Sequence, residues 1–315
     1  MHGNRLLISM SRIFFVNMTR ARLSIFVVLL VCLFQHSMKA QHAGFVLFGD
    51  RNPQADKADA EHQFVHPLTA PFYHEDSFIT TDLRAWYLNH DFPVSSPIAG
   101  GNAQAGALQV RLALTDRLQL VAYKDGYIDF NTGLIDESGF TDIAAGLKWN
   151  WLQDWDRQFH SAVGAGYELK TGQGRVLQND DEFRLWASLN KGFGKLHLGA
   201  NANYFMAREK DRGLGSSDRV SWHLHADYWT CKWFSPVLEI NGYHVVDEGP
   251  PGLPFHGLDL VNIGGGQGEE AIALGIGGAF RPCKDLSLRV AYETPLTQEE
   301  DLFGYRWTIS AVLSF

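Results

Sequence analysis

Hydrophobic and polar residues alternate along most of this chain. From residue 79 onward, apolar side chains hold one parity and polar or small ones the other, the period-2 mark of strands whose two faces meet different surroundings. In 220–228, Val220, Trp222, Leu224, Ala226 and Tyr228 share one face, while Ser221, His223, His225 and Asp227 share the other. Phe159/Ser161/Val163/Ala165/Tyr167, Phe183/Leu185/Ala187/Leu189, Leu196/Leu198/Ala200/Ala202/Tyr204 and Leu286/Leu288/Val290/Tyr292 repeat the pattern. Gly, Asp and Asn punctuate the units. Twelve strands are predicted, at 79–89, 104–114, 117–127, 141–151, 157–168, 182–192, 195–207, 219–229, 233–243, 270–280, 284–294 and 304–315.

The connections sort by length. Those after even-numbered strands are short (115–116, 152–156, 192–194, 230–232, 281–283), and those after odd-numbered strands are long, up to the 26 residues of 244–269. Short turns on one rim, long loops on the other and an even number of two-faced strands predict an all-β, 12-stranded antiparallel transmembrane β-barrel of the outer-membrane type, an up-and-down meander. Closure follows from physics: hydrocarbon cannot satisfy backbone amides, so a sheet crossing it must have no free edge. Aromatic residues collect at membrane interfaces. Tyr87, Tyr167, Phe183, Tyr204, Tyr292, Tyr305 and Trp307 fall at the long-loop end of their strands, and Trp149, Trp151, Phe159, Tyr228 and Phe280 mostly at the short-turn end.

The one long apolar run, 23–34 (LSIFVVLLVCLF), is too short to span as a helix, which takes about 20 apolar residues. With Arg20 and Arg22 before it and a small residue at Ala40, residues 1–40 read as a cleaved signal peptide, with Met18 as an alternative start. Val31 before Cys32 argues against lipid attachment. Residues 41–78 then form a periplasmic segment or a plug, and 79–315 the barrel.

The last strand carries Tyr305, Trp307, Ile309, Leu313 and a terminal Phe315 on one face. This ending resembles the C-terminal assembly signature of bacterial outer-membrane barrels, which implies recognition by the barrel-insertion machinery and residence among outer-membrane lipids. A second stretch, Gly139-Phe140-Thr141-Asp142-Ile143-Ala144-Ala145-Gly146-Leu147-Lys148-Trp149, is similar to one strand of uncharacterised outer-membrane transporters grouped with aromatic-degradation operons.

Composition narrows the function. The chain is 45% hydrophobic with nine Trp and three Cys, so it is neither disordered nor disulfide-stapled. Its formal charge of −8 comes from 27 Lys/Arg against 35 Asp/Glu; without the five basic residues of 1–40 it becomes −13, which argues against nucleic acid as a partner. With the apolar face toward lipid, the candidate lumen lining is Arg84, Arg111, Lys148, Arg184, His197, Asn201, His223, His225, Asp227, Glu239, Arg289, Glu293 and Arg306. A structural network of ion pairs is the simpler expectation. The sharper one is a narrow passive channel whose opposed charges create a transverse field selecting small polar or anionic solutes. A closed barrel acting through its loops in envelope structure or adhesion is the alternative, and an outer-membrane lipid hydrolase a third.

Twelve strands leave a small lumen that a segment could close. Residues 41–77 and the loop 244–269 are candidates, although each reads more simply as a surface segment. His223, His225 and Asp227 share a face with His197 on the neighbouring strand and could hold a metal. Hydrogen-bonded lining accounts for them equally well, and neither metal nor cofactor is expected. No Gly-x-Ser-x-Gly or His-x-Ser occurs, and Ser161 and His160 point to opposite faces, so no catalytic residue is assigned. Cys231 and Cys283 lie in turns roughly 10 Å apart. A bridge needs Cα atoms within about 7 Å, so both thiols are expected free.

Overall fold

The computed structural model describes residues 45–50, 52, 64–173, 181–208, 216–249, 259, 260, 262, 268, 270–297 and 304–315. The signal peptide read at 1–40 lies outside the described residues, as does most of the loop after residue 249. Fourteen strands form one antiparallel sheet: β1 (Asp82–Phe92), β2 (Gly101–Ala113), β3 (Leu118–Lys124), β4 (Tyr127–Thr132), β5 (Asp136–Phe140), β6 (Ile143–Asp154), β7 (Phe159–Leu169), β8 (Glu182–Phe193), β9 (Leu196–Ala207), β10 (Asp218–Tyr228), β11 (Phe234–Asp247), β12 (Glu270–Cys283), β13 (Leu286–Pro295) and β14 (Tyr305–Ser314).

Twelve of these close a barrel in the order β1-β2-β3-β6-β7-β8-β9-β10-β11-β12-β13-β14. β1 seals it, pairing with β2 from Asp82↔Arg111 to Phe92↔Gly101 and with β14 from Asp82↔Ser314 to Asp91↔Tyr305. Closure thus leaves the ring of twelve without a free edge.

The stretch 128–140, expected to be a long loop, is instead a hairpin. β4 pairs with the upper half of β2 and with β5, so that β3–β4 and β5–β6 continue one another beyond a break at Asp125–Gly126. Gly126 makes the break possible: its φ is +118°, and a Cβ there would lie 2.4 Å from the Gly106 carbonyl oxygen. Tyr127-Ile-Asp-Phe-Asn-Thr132 already alternates in the sequence, so the signal was present. Strand limits differ from the expectation by one to four residues at several ends, and two of these bear on the lumen and its longest loop. β1 begins at Asp82 rather than 79, because Gln119 on β3 donates to the Thr80 carbonyl and draws 79–81 inward. β11 runs on to Asp247, taking four residues from the longest loop.

Outside, the apolar parity faces away from the protein: Leu224, Leu185, Leu198, Val290 and Ile309 are exposed, flanked at the rims by Trp149, Trp151, Tyr228 and Phe280 on one side and Phe183, Tyr204, Tyr305 and Trp307 on the other. Ring pairs tie neighbouring strands, with Tyr167 and Phe183 centroids 4.6 Å apart and Tyr292 and Trp307 4.8 Å apart. Inside, the wall is layered rather than uniformly polar. Toward the long-loop side Trp86, Leu88, Phe92, Ala103, Ala105, Phe130, Phe205 and Tyr243 form a buried apolar layer. The charged residues lie mainly below it.

Cys231 and Cys283 are both exposed and free.

Candidate functional site

The barrel interior is occupied by the chain's own residues 64–81, which precede β1. Ala70, Phe72 and Ser77 are fully buried, and Leu68, Thr69, Tyr73 and Glu75 nearly so. The segment rises, turns at Ala70, and descends. Ala70 sits at φ +47° and its carbonyl accepts from Tyr73 N and His74 N, both at 2.9 Å, closing the turn. Phe72 and Tyr73 at the apex pack into the apolar layer, Phe72 edge-on to Trp86 at 4.9 Å and Tyr73 against Phe205 at 4.3 Å.

A backbone without a ladder needs other partners, and the wall supplies them from the polar parity of its strands. Along the rising limb two wall carboxylates accept. Asp227 takes the Val65 N–H at 3.1 Å, while Glu239 takes the Leu68 and Thr69 N–H groups at 3.0 and 2.7 Å together with the Thr69 hydroxyl. Along the apex and descending limb the wall mainly donates, although Asn190 Oδ1 accepts the Ser77 N–H at 2.8 Å. Arg184 reaches the Phe72 and Tyr73 carbonyls at 3.0 and 2.6 Å, Ser188 the Glu75 carbonyl at 2.7 Å, and Asn150 the Ser77 carbonyl at 2.6 Å. Arg289 holds the His66 and Pro67 carbonyls at 3.2 and 3.1 Å.

Wall cations gather around the descending limb. Arg84, Arg111, Lys148 and Arg184 on β1, β2, β6 and β8 surround Glu75 and Asp76. Arg111 Nη2 is 2.6 Å from Glu75 Oε1, and Lys148 Nζ is 3.3 Å from Asp76 Oδ1. Burial pushes both carboxyls up, but the cations outweigh it: Arg111 and Lys148 hold Glu75 low, and Lys148 with hydrogen-bonded His66 holds Asp76 well below the usual carboxylate range. The opposite side carries Asp227, Glu239 and Glu293 on β10, β11 and β13.

The histidines lie on that acidic side. His225 bridges Glu239 at 2.6 Å and Asp227 at 3.1 Å, and His197 meets Asp227 at 2.8 Å. Hydrogen bonds engage this row, and no group of three potential metal ligands is assembled among the described residues. His74 on the segment lies face-on to His223, centroids 4.9 Å apart, and 6.1 Å from His225; burial pushes it down to about 4, so the docked ring is neutral near pH 7.

Arg306 is held by Glu293, at 2.6 and 2.9 Å, and by Asp259, at 2.5 Å. Asp259, Leu260 and Asn262 are buried and belong to the long loop, so these residues point inward as 64–81 do, whereas Glu248 and Gly268 of the same loop are exposed. Asn201 donates to Ser188 Oγ at 3.0 Å and accepts from Asn203 at 2.8 Å.

The sequence offered 41–77 as a candidate plug but not the path that 64–81 takes. The span 64–81 has no periodicity, and only its Pro67, Pro71 and paired acids Glu75-Asp76 marked it as unusual. Ser221, His223 and Asn241 form a hydrogen-bonded chain at 2.9 and 2.7 Å, read from a Ser-x-His spacing on β10. Asn203 also donates to Ser221 Oγ at 2.9 Å, and His74 covers His223, so this row is saturated by its neighbours. Ser161, expected to face outward, is buried and donates to the Ser188 carbonyl at 3.1 Å.

No protein-family model and no curated protein sequence matches the chain. Among solved structures it resembles an outer-membrane channel from Pseudomonas putida F1 at 15% identity and a TM-score of 0.55, over 80% of this chain and 100% of that one. The KdgM porin is matched at 10% identity over 74% of this chain and 99% of that one, TM-score 0.45, and the outer-membrane channel DcaP of Acinetobacter baumannii at 13% over 73% and 72%, TM-score 0.33. The first of these likenesses establishes a common fold, that of an outer-membrane β-barrel.

Proposed function

We propose that this protein is an outer-membrane channel for small polar or anionic solutes, closed in the present state by residues 64–81 and opened when that segment moves. Export through a cleaved 1–40 signal, delivery through the Tyr305–Trp307–Ile309–Leu313–Phe315 strand and residence among outer-membrane lipids belong to the same reading. Its support is the exposed apolar band on a closed barrel and the likeness in fold to a channel. One observation carries the gating: the segment is held by side-chain hydrogen bonds and ion pairs, with no sheet ladder. Water and solute ions can replace such bonds one at a time, whereas a ladder exchanges cooperatively.

A tether tests this. A Cβ at Gly275 on β12 would lie 2.7 Å from Thr69 Cγ2, so Thr69→Cys with Gly275→Cys, in a background with Cys231→Ser and Cys283→Ser, positions two thiols to bridge segment and wall. In planar bilayers the reduced protein is expected to conduct intermittently and the oxidised one to fall silent. Silence in both states, from a barrel that still shows heat-modifiable migration, would favour the closed structural or adhesion-type barrel instead.

A further inference from the structure

The four cations around Glu75 and Asp76 outnumber what the strands need for themselves. Arg84 is satisfied within the wall by Asp82, at 2.7 Å. Arg111, Lys148 and Arg184 find no wall carboxylate in ion-pair contact among the described residues; their carboxylate and backbone-carbonyl partners belong to the segment, and the wall adds the amide oxygens of Gln109 to Arg111 and Asn203 to Arg184. Arg111 is 1% exposed, and its Nε, buried, has no hydrogen-bond partner. With the segment docked, four cations face three carboxylates. With it withdrawn, they face Asp82 alone, and the local balance becomes +3.

Such an imbalance in a narrow, low-dielectric lumen does not persist without a counter-anion. The docked state displays the chemistry that fits: two carboxylates on adjacent residues, one accepting from Arg111 Nη2 and the other facing the Lys148 ammonium, with Arg84 Nη2 4.0 Å beyond. We propose that Arg84, Arg111, Lys148 and Arg184 form a binding site for small dicarboxylates, which Glu75 and Asp76 occupy in the closed state, so that solute and segment compete for one set of cations. This rests on the channel reading and adds to it a substrate class and a means of opening: the solute displaces its own mimic.

Calorimetric titration of the detergent-solubilised protein with succinate at fixed ionic strength tests the competition, with acetate as the monovalent control. Neutralising the internal competitor in Glu75→Gln/Asp76→Asn is expected to tighten succinate binding by about tenfold or more. Arg111→Met/Lys148→Met is expected to abolish it, and Arg111→Lys/Lys148→Arg to retain it within about threefold, since both positions keep a cation. Equal succinate affinity in the wild type and the neutralised segment, or affinity indifferent to Arg111 and Lys148, or acetate binding as tightly as succinate, overturns the site. If the methionine pair does not fold, the comparison of wild type with Glu75→Gln/Asp76→Asn decides alone. Conductance in KCl separates the two levels: a neutralised segment that conducts yet gains no affinity for succinate refutes the dicarboxylate site and leaves the channel standing.

Discussion

Arg184 on β8 is the wall residue whose loss should most directly free the segment. Its guanidinium donates to the Phe72 carbonyl at 3.0 Å and the Tyr73 carbonyl at 2.6 Å, and twice to Asn203 Oδ1 at 3.0 and 2.7 Å. It lies 4.6 Å from the Tyr123 ring centroid and 4.7 Å from that of Trp186, so a methionine stem can keep much of the packing while every donor is removed. Hydrogen bonds from a charged donor contribute about 1.5–3 kcal/mol each, so the two to the segment set an upper range of about 3–6 kcal/mol if the freed carbonyls stay dry. Water entering beside them returns part of this, leaving about 2–4 kcal/mol. At 1.4 kcal/mol per decade, the docked-to-released ratio of Arg184→Met falls by about 30- to 700-fold. Open probability in single-channel recordings reads that ratio. Leu185→Met, one residue on and facing outward, is the matched control and should leave it unchanged. An Arg184→Met barrel with native heat-modifiable migration and wild-type open probability would refute the view that these bonds keep the segment docked.

Three further outcomes are expected. Leu224, 46% exposed in the middle of β10, faces hydrocarbon; Leu224→Arg should cost about 2–4 kcal/mol in urea unfolding from lipid vesicles, and no measurable cost would invert the face assignment. Docked His74 has its pKa pushed from 6.5 down to about 4, so neutral His74 supports docking fully above pH 6.5 and that support is lost as pH falls toward 4. Glu75 and Asp76, held low by their cations, lose their support in the same direction at still lower pH. Conductance should therefore rise on acidification from pH 7 to 4, with the upper part of the rise absent in His74→Asn; a flat or falling profile would count against it. Gly126→Val forces a branched side chain into φ +118° against the Gly106 carbonyl, a cost of about 1–3 kcal/mol, so the β4–β5 hairpin should become protease-sensitive while the barrel stays intact.

The alternation of side chains determined a great deal here, because successive Cβ atoms in a strand point to opposite faces whatever the strand pairs with. That local rule alone put Leu224 outside and His223 inside, separated the polar parity carrying Arg111, Lys148, Arg184 and Glu239 from the apolar one, and, with connections sorted by length, required a closed ring of twelve. The hairpin at 127–140 obeyed the same rule and was missed only because a glycine interrupts it. Residues 64–81 follow no such rule. Thr69 bonds to Glu239, 170 residues away, and His66 to Arg289, 223 away. A segment without periodic pairing takes its conformation from whatever surrounds it, and here the surroundings exist only once the barrel has closed. What fills the lumen, which cations lie within reach of Glu75 and Asp76, and which histidines stack on His74 were therefore decided by the tertiary structure: they are distances across a ring, and a strand's period carries no information about what stands on its far side.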